Sequence, residues 1–330
     1  MEALTMKLRI ALGLTSLFSL AAFASGCTVK ADSSDEFRDP IPQSSDVALS
    51  VPGSSASTSS TSSAAGLRLA GGGGAGDYAS YYVFTRDISA GVDFGTAAIL
   101  GGVWLIVNQP ATTISGNTAT WEPGSGNALD PTVWRLVVRE SGDKEYDYEL
   151  DGRPKASTND GDFKAVLTGH GFGKTRPEHR SGNFTIDNDA YNALEPGVGH
   201  DSGTTAVTYD LRQFPAQIQV QLRPSPATLG QNDIEVAHNQ DGSGEVDIVG
   251  LDDISTNKDG TLENVTIHSR WSNVGAGRAD VQAAGGELTQ TVVASQCWSS
   301  AFAQTYYTDN VNYQPTSGDP LSCAFTQASF

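Results

Sequence analysis

The sequence predicts a mainly β domain: a long antiparallel meander of about twelve strands, curled into a half-barrel or a sandwich and packed on one or two N-terminal helices. The 330 residues include 36 Gly and 14 Pro, and only 18% are charged, a composition typical of strands and turns. Short alternating segments follow Pro110, separated by turn signals such as Asp151-Gly152 and Gly285-Gly286. Because no helical pattern lies between these segments to supply parallel crossovers, we expect the sheet to be antiparallel.

The region before the strands is apolar and lacks strong breaker pairs. Within residues 77–109, apolar residues recur at spacings of mostly three to five, which predicts one or two helices, with Gly91 as the candidate break. Gly95 to Val107 is apolar on all sides, which is typical of a buried helix, and it is too short and too close to Asp93 to span a bilayer comfortably. A helix followed by an antiparallel half-barrel is similar to the periplasmic lipoprotein carriers, an analogy that depends on element order alone.

The strands themselves are predicted from alternation and from turn residues. Twelve strands are too many for one open twisted sheet, so we expect the sheet to curl. The predicted strands are 118–121, 133–140, 145–152, 163–169, 183–187, 204–211, 217–222, 233–238, 245–249, 261–271, 278–284 and 288–298, with 302–307 as a further candidate.

The first 26 residues have the pattern of a secretory signal, with translation beginning at Met1 or Met6. Basic residues at positions 7 and 9 precede an apolar stretch over 10–24, and small residues follow it. Ala24-Ser25-Gly26-Cys27 resembles the lipobox of bacterial lipoproteins, although Ala24 stands where that family usually has Leu. The resemblance implies cleavage before Cys27 and attachment of a diacylglyceryl group to this cysteine, with a palmitate chain as part of the lipid anchor. Thr28, in place of an Asp, implies the outer membrane, on either face; the alternative is an ordinary signal with a coincidental Cys.

Residues 27–76 are predicted to form a disordered tether. The segment is rich in Ser and shows no hydrophobic period, and Gly71 to Gly74 end it as a flexible hinge. Residues 1–26 carry a charge of +1 and residues 27–76 carry −2, so −17 of the net −18 falls on the single domain predicted over 77–330. Such acidity argues against nucleic-acid binding, which needs a cationic surface.

The other two cysteines, Cys297 and Cys323, form an even pair in an exported chain and predict a disulfide. The alternative is two free buried thiols. The end of the chain, from Asn273 to Asp280 and through Cys297-Trp298 to Cys323-Ala324-Phe325, resembles a recurrent ending in an uncharacterised group of Gly- and Thr-rich, β-rich outer-membrane lipoproteins. No activity is assigned to that group, so the resemblance bears on location and fold only.

Four motifs imitate chemical sites, and each lacks a part that the chemistry needs. Residues 168–175 approach a phosphate-binding loop but lack its first Gly and a following helix. Residues 239–247 imitate a calcium loop whose last acid is replaced by Gly250. The histidines have no zinc-pair spacing, and residues 200–203 lack the nucleophile-elbow pattern. We therefore predict no catalytic residue, metal ligand or cofactor; the histidines are His170, His179, His200, His238 and His268.

The predicted function is that of a membrane-anchored exported lipoprotein with a non-catalytic binding or structural role. Its expected partners are the membrane, through the N-terminal lipid, and an apolar ligand or a protein. One alternative is a carrier that holds a lipid or another apolar ligand in a cavity lined by Gly95 to Val107 and the facing strands. The other is an exported hydrolase, which requires a His, an acid and a Ser or Thr within hydrogen-bond reach.

Overall fold

One antiparallel sheet dominates the part of the chain that the computed structural model describes, residues 34–53, 78–123, 131–196, 202–226, 230–254 and 260–330. All of these residues belong to one unit, Ser33–Phe330. Within them the sheet has fifteen strands, each paired with its neighbours in the sequence: β1 Thr113–Ser115, β2 Thr118–Trp121, β3 Thr132–Gly142, β4 Glu145–Pro154, β5 Lys164–Phe172, β6 Ser181–Asp187, β7 Thr204–Asp210, β8 Ala216–Arg223, β9 Gln231–His238, β10 Gly244–Asp252, β11 Glu263–Trp271, β12 Gly277–Ala284, β13 Val292–Trp298, β14 Gln304–Asp309 and β15 Ser317–Gly318.

The predicted mainly β class and the antiparallel meander are confirmed. The strand count rises from about twelve to fifteen: β14 corresponds to the further candidate 302–307, and the short edge strands β1 and β15 give too little alternation to be recognised. The sheet is open, with β1 and β15 at its two ends, and this order is compatible with the expected half-barrel or sandwich.

Alternation along each strand separates the two faces of the sheet. In β8 the residues Ala216, Ile218 and Val220 are buried, whereas the glutamines between them are exposed. Val220 pairs with Val207 on one side and with Ile234 on the other, so the buried residues form a continuous row across the strands. A register slip of one residue would turn this row to solvent, so burial fixes the register.

One unbroken helix, α2, covers part of the inner face. It spans Ser80–Val107 and continues through Gly91, where an added Cβ would meet no atom within 4 Å. The prediction that its second half is buried on all sides is wrong, since Leu105 is 67% exposed, although Leu100 and Val103 are fully buried. By length and composition α2 could cross a membrane, but core helices of soluble proteins meet the same criterion.

Polar and aromatic contacts fix the N-terminal half of α2 on β11, on β13 and on the turn before β14. The Gln296 side-chain oxygen accepts the Tyr81 backbone N–H at 2.7 Å, in place of a cap from the helix itself. The Thr85 and Ser269 hydroxyls are 2.7 Å apart in the core. The ring of Tyr82 stacks on Phe302, with the ring centroids 4.4 Å apart. These contacts set the position of the helix along the sheet.

Residues 34–53, which we call the strap, run antiparallel to α2 along its length. The Trp104 indole donates to the Pro42 carbonyl at 2.9 Å, near the end of the helix. The Asp93 carboxylate accepts the Leu49 N–H at 2.7 Å in the middle, and the Tyr82 hydroxyl donates to a strap carbonyl at 2.7 Å near the start. The strap begins with the one-turn helix α1, Asp35–Arg38.

The prediction of a disordered tether over 27–76 is wrong for the strap. Its apolar side chains are buried against distant strands and α2. These side chains are Phe37, Ile41, Val47, Leu49 and Val51. Val47, Leu49 and Val51 alternate with Ala48 and Ser50, a short strand-like pattern that the Ser-rich composition outweighed in the prediction. The rest of the predicted tether, the signal peptide 1–26, Cys27 and His200 lie outside the described residues.

A short helix, α3, interrupts the meander between β6 and β7, where no helix was predicted. It spans Asn188–Leu194, and the Asp187 carboxylate caps it by accepting the Ala190 N–H at 2.8 Å. The Tyr191 ring stacks on Trp134. Because α3 joins adjacent antiparallel strands, it adds cover to one end of the sheet without altering the topology.

The predicted disulfide between Cys297 and Cys323 is confirmed, with the two Cα atoms 5.5 Å apart. It ties the C-terminal tail to β13. Beside it, the buried Arg278 donates to the Asp280 carboxylate at 2.8 Å and to the tail carbonyl of Thr326 at 3.2 Å. The tail therefore covers a buried ion pair on the outer side of β12.

The strap should contribute to stability as a core element does. Leu49→Ala removes a fully buried side chain, and we expect a loss of about 2–5 kcal/mol in the free energy of unfolding, measured in urea. Ser45→Ala, at an exposed strap position, is the control and should change it by less than about 0.5 kcal/mol. Equal stability of the two variants would contradict the packed strap.

Candidate functional site

A cleft of about 600 Å³ opens where the strap, the C-terminal end of α2 and the turn after β5 meet. Its volume is in the range of small-molecule pockets. At the other end of α2, the space between Tyr82, Trp271 and Trp298 has a volume of about 0 Å³, so the interior there is filled. The cleft is therefore the strongest candidate for a binding site in the described part of the chain.

Aromatic side chains from three separate elements form the wall of the cleft. Trp104 comes from α2, Phe172 from the end of β5 and Tyr209 from β7. The hydrogen bond from the Trp104 indole to the strap fixes the orientation of its ring. Burial raises the pKa of the Tyr209 hydroxyl well above its usual range, with a smaller effect of the nearby Asp46 carboxylate. The wall therefore offers apolar surface with a neutral phenol.

Charged side chains of both signs surround this wall. The Lys174 ammonium lies 2.6 Å from the Asp39 carboxylate, which raises the pKa of Lys174. The Asp46 carboxylate accepts the backbone N–H of Gln43 at 2.9 Å. In the described part of the chain, the Arg180 guanidinium has no hydrogen-bond or ion-pair partner. The cleft thus has one cation, Arg180, and one carboxylate, Asp46, that are not paired with an opposite charge among the described residues.

Backbone contacts hold the turn that carries Arg180. Arg180 is left-handed, with φ 72°, a conformation that costs a non-glycine residue about 1 kcal/mol or more. Its carbonyl accepts the Leu211 N–H at 3.0 Å, which fastens the turn to the end of β7. The Nδ1 atom of His179 lies 3.0 Å from the Phe172 carbonyl, so Nδ1 carries the donated proton and Nε2 is left for another partner.

A second group of polar side chains holds the strap from both sides. Asp93 on α2 accepts the N–H of Leu49 and that of Ser50, yet burial outweighs these bonds and raises the pKa of Asp93 to about 6. His238 on β9 bonds the backbone of Leu49, and burial lowers the pKa of His238. Because the pKa of Asp93 is about 6, the fastening of the strap should depend on pH.

The four described histidines lie apart from one another. His170 pairs with Asp147 at 2.8 Å, and His268 contacts Asp247; His179 borders the cleft, and His238 lies under the strap. Among the described residues these histidines contact carboxylates, carbonyls and aromatic rings, and no hydroxyl completes a triad with them. No group of three His, Cys, Asp or Glu side chains within the described ranges is arranged to hold a metal ion.

The two segments whose sequences resemble a phosphate-binding loop and a calcium loop have ordinary structural roles. Residues 164–172 form β5, and the glycine-rich loop follows without the helix that a phosphate-binding loop requires. Residues 239–243 are the turn between β9 and β10, where the Asp241 carboxylate accepts the Ser243 N–H at 3.0 Å. The hairpin turn therefore accounts for the calcium-like pattern at this position.

Sequence reasoning missed the cleft, because its lining comes from four segments that are far apart in the chain. One signal was present: Lys174, Arg176, His179 and Arg180 form a basic stretch of seven residues in a chain of net charge −18. No family model matches the chain, and no curated protein and no solved structure was found to be similar to it.

Asp93→Asn should stabilise the fold at alkaline pH. The folded pKa of Asp93, about 6, is above its ordinary value of 3.8. The contribution of the protonated Asp93 to the free energy of unfolding is therefore complete below about pH 4 and is lost as the pH rises through 6. An amide keeps the acceptor for Leu49 without the charge. We expect a gain on the order of 2 kcal/mol in the free energy of unfolding at pH 8 and almost none at pH 4, by urea unfolding.

The control for this variant is Asp87→Asn, at an exposed position on α2 where the carboxylate pairs with Arg86. It should not reproduce the pH-dependent gain. If the difference in the free energy of unfolding between the Asp93 variant and the unaltered chain increased toward acid pH, the buried carboxylate would have the opposite effect.

Proposed function

We propose that the chain is an exported lipoprotein, acylated at Cys27 and held at the outer membrane, whose β-rich domain has a non-catalytic binding role. The observation that carries this proposal is the Cys297–Cys323 disulfide. Disulfides persist in exported proteins, and of the three cysteines only Cys27, in the lipobox-like sequence, is left outside the pair. An N-terminal acyl group at that position is the type of modification that fixes an exported domain to a bilayer.

The strap changes the expected length of the linker. The first described residue, Ser34, follows Cys27 by seven positions, and a chain extends at most about 3.6 Å per residue. An acyl group on Cys27 would therefore hold the start of the strap within about 25 Å of the bilayer. The proposed anchor thus gives a domain close to the membrane, in contrast to the fifty-residue tether that the composition predicted.

The cleft supports the binding role. It combines an aromatic wall with a small number of polar groups, the composition typical of ligand sites. Its lining residues Asp35 and Arg38 lie at the start of the strap, eight and eleven positions after Cys27 in the sequence. A ligand in the cleft would contact the strap, α2 and the sheet together.

A carrier of an apolar ligand is the second candidate, favoured by the aromatic wall of the cleft. A carrier was expected to hold its ligand between the helix and the facing strands. That place is occupied by the apolar side chains of the strap, and Trp104 extends the same surface into the cleft. We infer that a long apolar ligand would replace part of the strap against α2 and the strands.

Cys27→Ser should release the protein from membranes, because it removes the acylated thiol. We expect the variant in the soluble fraction after cell disruption and the unaltered chain in the membrane fraction, measured by immunoblot. Cys297→Ala combined with Cys323→Ala is the matched control and should remain in the membrane fraction. Retention of the Cys27 variant after an alkaline wash would refute the anchor and would point to α2 instead.

The carrier candidate predicts that lipid accompanies the purified Cys27→Ser chain. Solvent extraction followed by mass spectrometry should find an acyl-containing molecule at close to one equivalent. Trp104→Glu, which places a charge in the aromatic wall, should reduce that amount at least several-fold. Protein that is free of lipid when prepared from detergent-free extracts would refute the carrier.

A further inference from the structure

We propose that the cleft binds an anionic amphiphile, with a phosphate or carboxylate head at Arg180 and an apolar part against Trp104, Phe172 and Tyr209. The inference deepens the proposed binding role and depends on it, but it does not depend on the lipid anchor. It follows from three independent features of the cleft: the unpaired charge, the constrained turn and the aromatic wall.

Among the cations that line the cleft, Arg38 contacts Asp35 and Lys174 contacts Asp39, whereas the Arg180 guanidinium has no carboxylate partner among the described residues. Nearby, Lys144 contacts Glu36, Arg176 contacts Glu145 and Arg212 contacts Asp210. The Asp46 carboxylate accepts the Gln43 N–H within the strap and has no contact with Arg180 among the described residues. The exposed Arg139 on β3 also lacks a carboxylate partner there, so the feature that marks Arg180 is an unpaired guanidinium at the border of the cleft.

A guanidinium matches the geometry of phosphate and carboxylate oxygens, to which it donates two parallel hydrogen bonds. The Nε2 atom of His179, the residue before Arg180, is available as a further donor when the ring is protonated, because Nδ1 is committed to the Phe172 carbonyl. Two neighbouring side chains at the border of the cleft can therefore contact one anionic head.

Arg180 is exposed, and the turn that carries it is fixed by its backbone. Its left-handed backbone is strained for a residue with a Cβ. Two hydrogen bonds hold the turn nonetheless: Leu211 N–H to the Arg180 carbonyl at 3.0 Å, and Ser181 N–H to the Glu178 carbonyl at 2.9 Å. Strain of this type is typical of binding sites, where the fold fixes a side chain in advance.

The aromatic wall is the surface that the apolar part of the ligand would contact. Trp104 and Phe172 are only partly buried, and Leu211 and Pro40 continue the same surface. An inorganic ion would leave this wall in contact with water, whereas an amphiphile would cover it and gain free energy from the buried apolar area. The ligand is therefore expected to carry an alkyl or aromatic group beside its charge.

The test uses the Cys27→Ser chain and isothermal titration calorimetry with dodecyl phosphate below its micelle concentration. Arg180→Gly removes the guanidinium and suits the left-handed backbone, so the variant should fold at least as well as the parent chain. We expect the affinity of this variant for dodecyl phosphate to fall about tenfold to a hundredfold, the loss expected when hydrogen bonds to a charged group are removed. Arg180→Lys, which keeps the charge but loses the paired donors, should give a smaller loss.

Lys164→Ala is the control, since it removes one exposed positive charge at the opposite end of β5 and should not alter the affinity. Two further probes distinguish the sources of the head. Competition by inorganic phosphate would support a soluble phosphate ligand. Binding of the parent chain, but not of Arg180→Gly, to phosphatidylglycerol vesicles and not to phosphatidylcholine vesicles would support a lipid headgroup.

Three results would overturn the inference. One is equal affinity of the parent chain and Arg180→Gly for dodecyl phosphate. Another is equal affinity of the parent chain for dodecyl maltoside and for dodecyl phosphate. That result would agree with apolar binding but would refute the recognition of an anionic head. The third is an absence of binding to all of these probes, which would also remove the cleft from the proposed function and leave only the anchor, tested separately by Cys27→Ser.

Discussion

The inner face of the sheet has to be covered, and no single element of the chain is large enough to cover it. Fifteen strands at a spacing of about 4.8 Å extend roughly 65 Å, whereas a helix of 28 residues is about 42 Å long and about 10 Å wide. The sheet does not close on itself. If α2 were the only cover of the inner face, part of the row of buried side chains would therefore face water. The strap supplies the missing cover, and the core exists only when sheet, helix and strap are assembled.

This arrangement explains a carboxylate in the middle of an otherwise apolar helix. The strap has no regular secondary structure at Leu49, so its N–H groups have no strand or helix partner there. Asp93 accepts the bonds of Leu49 and Ser50, and His238 bonds the same backbone from the sheet. Burial opposes the ionised form of each of these side chains, but an unpaired N–H in the core would also be unfavourable. The strap is thus fastened by contacts whose strength depends on pH.

The strands, the helix and the disulfide could be predicted from the sequence because each leaves a local pattern. Alternation of apolar and polar residues, as in β8, indicates a strand with one buried face, and the spacing of apolar residues over 77–109 indicates α2. The strap leaves only a short pattern, the alternation of Val47, Leu49 and Val51 within a Ser-rich segment, and the burial of its side chains is decided by residues more than forty positions away. The helix α3 is too short to show a period. The cleft could not be predicted, because its residues converge only after the meander, α2 and the strap are in place.

The strap also connects the two parts of the proposed function. Its first turn lines the cleft, its middle fills the space between α2 and the sheet, and the chain before it leads to Cys27. A ligand head at Arg180 would lie beside Asp39 and Lys174, the ion pair that joins the strap to the turn after β5. The Lys174 side chain is largely exposed, and such an ion pair contributes less than about 1 kcal/mol, whereas the strap is held by fully buried apolar side chains. An amphiphile bound in the cleft would therefore add contacts to the strap, α2 and the turn after β5 together, without weakening the packing of the strap.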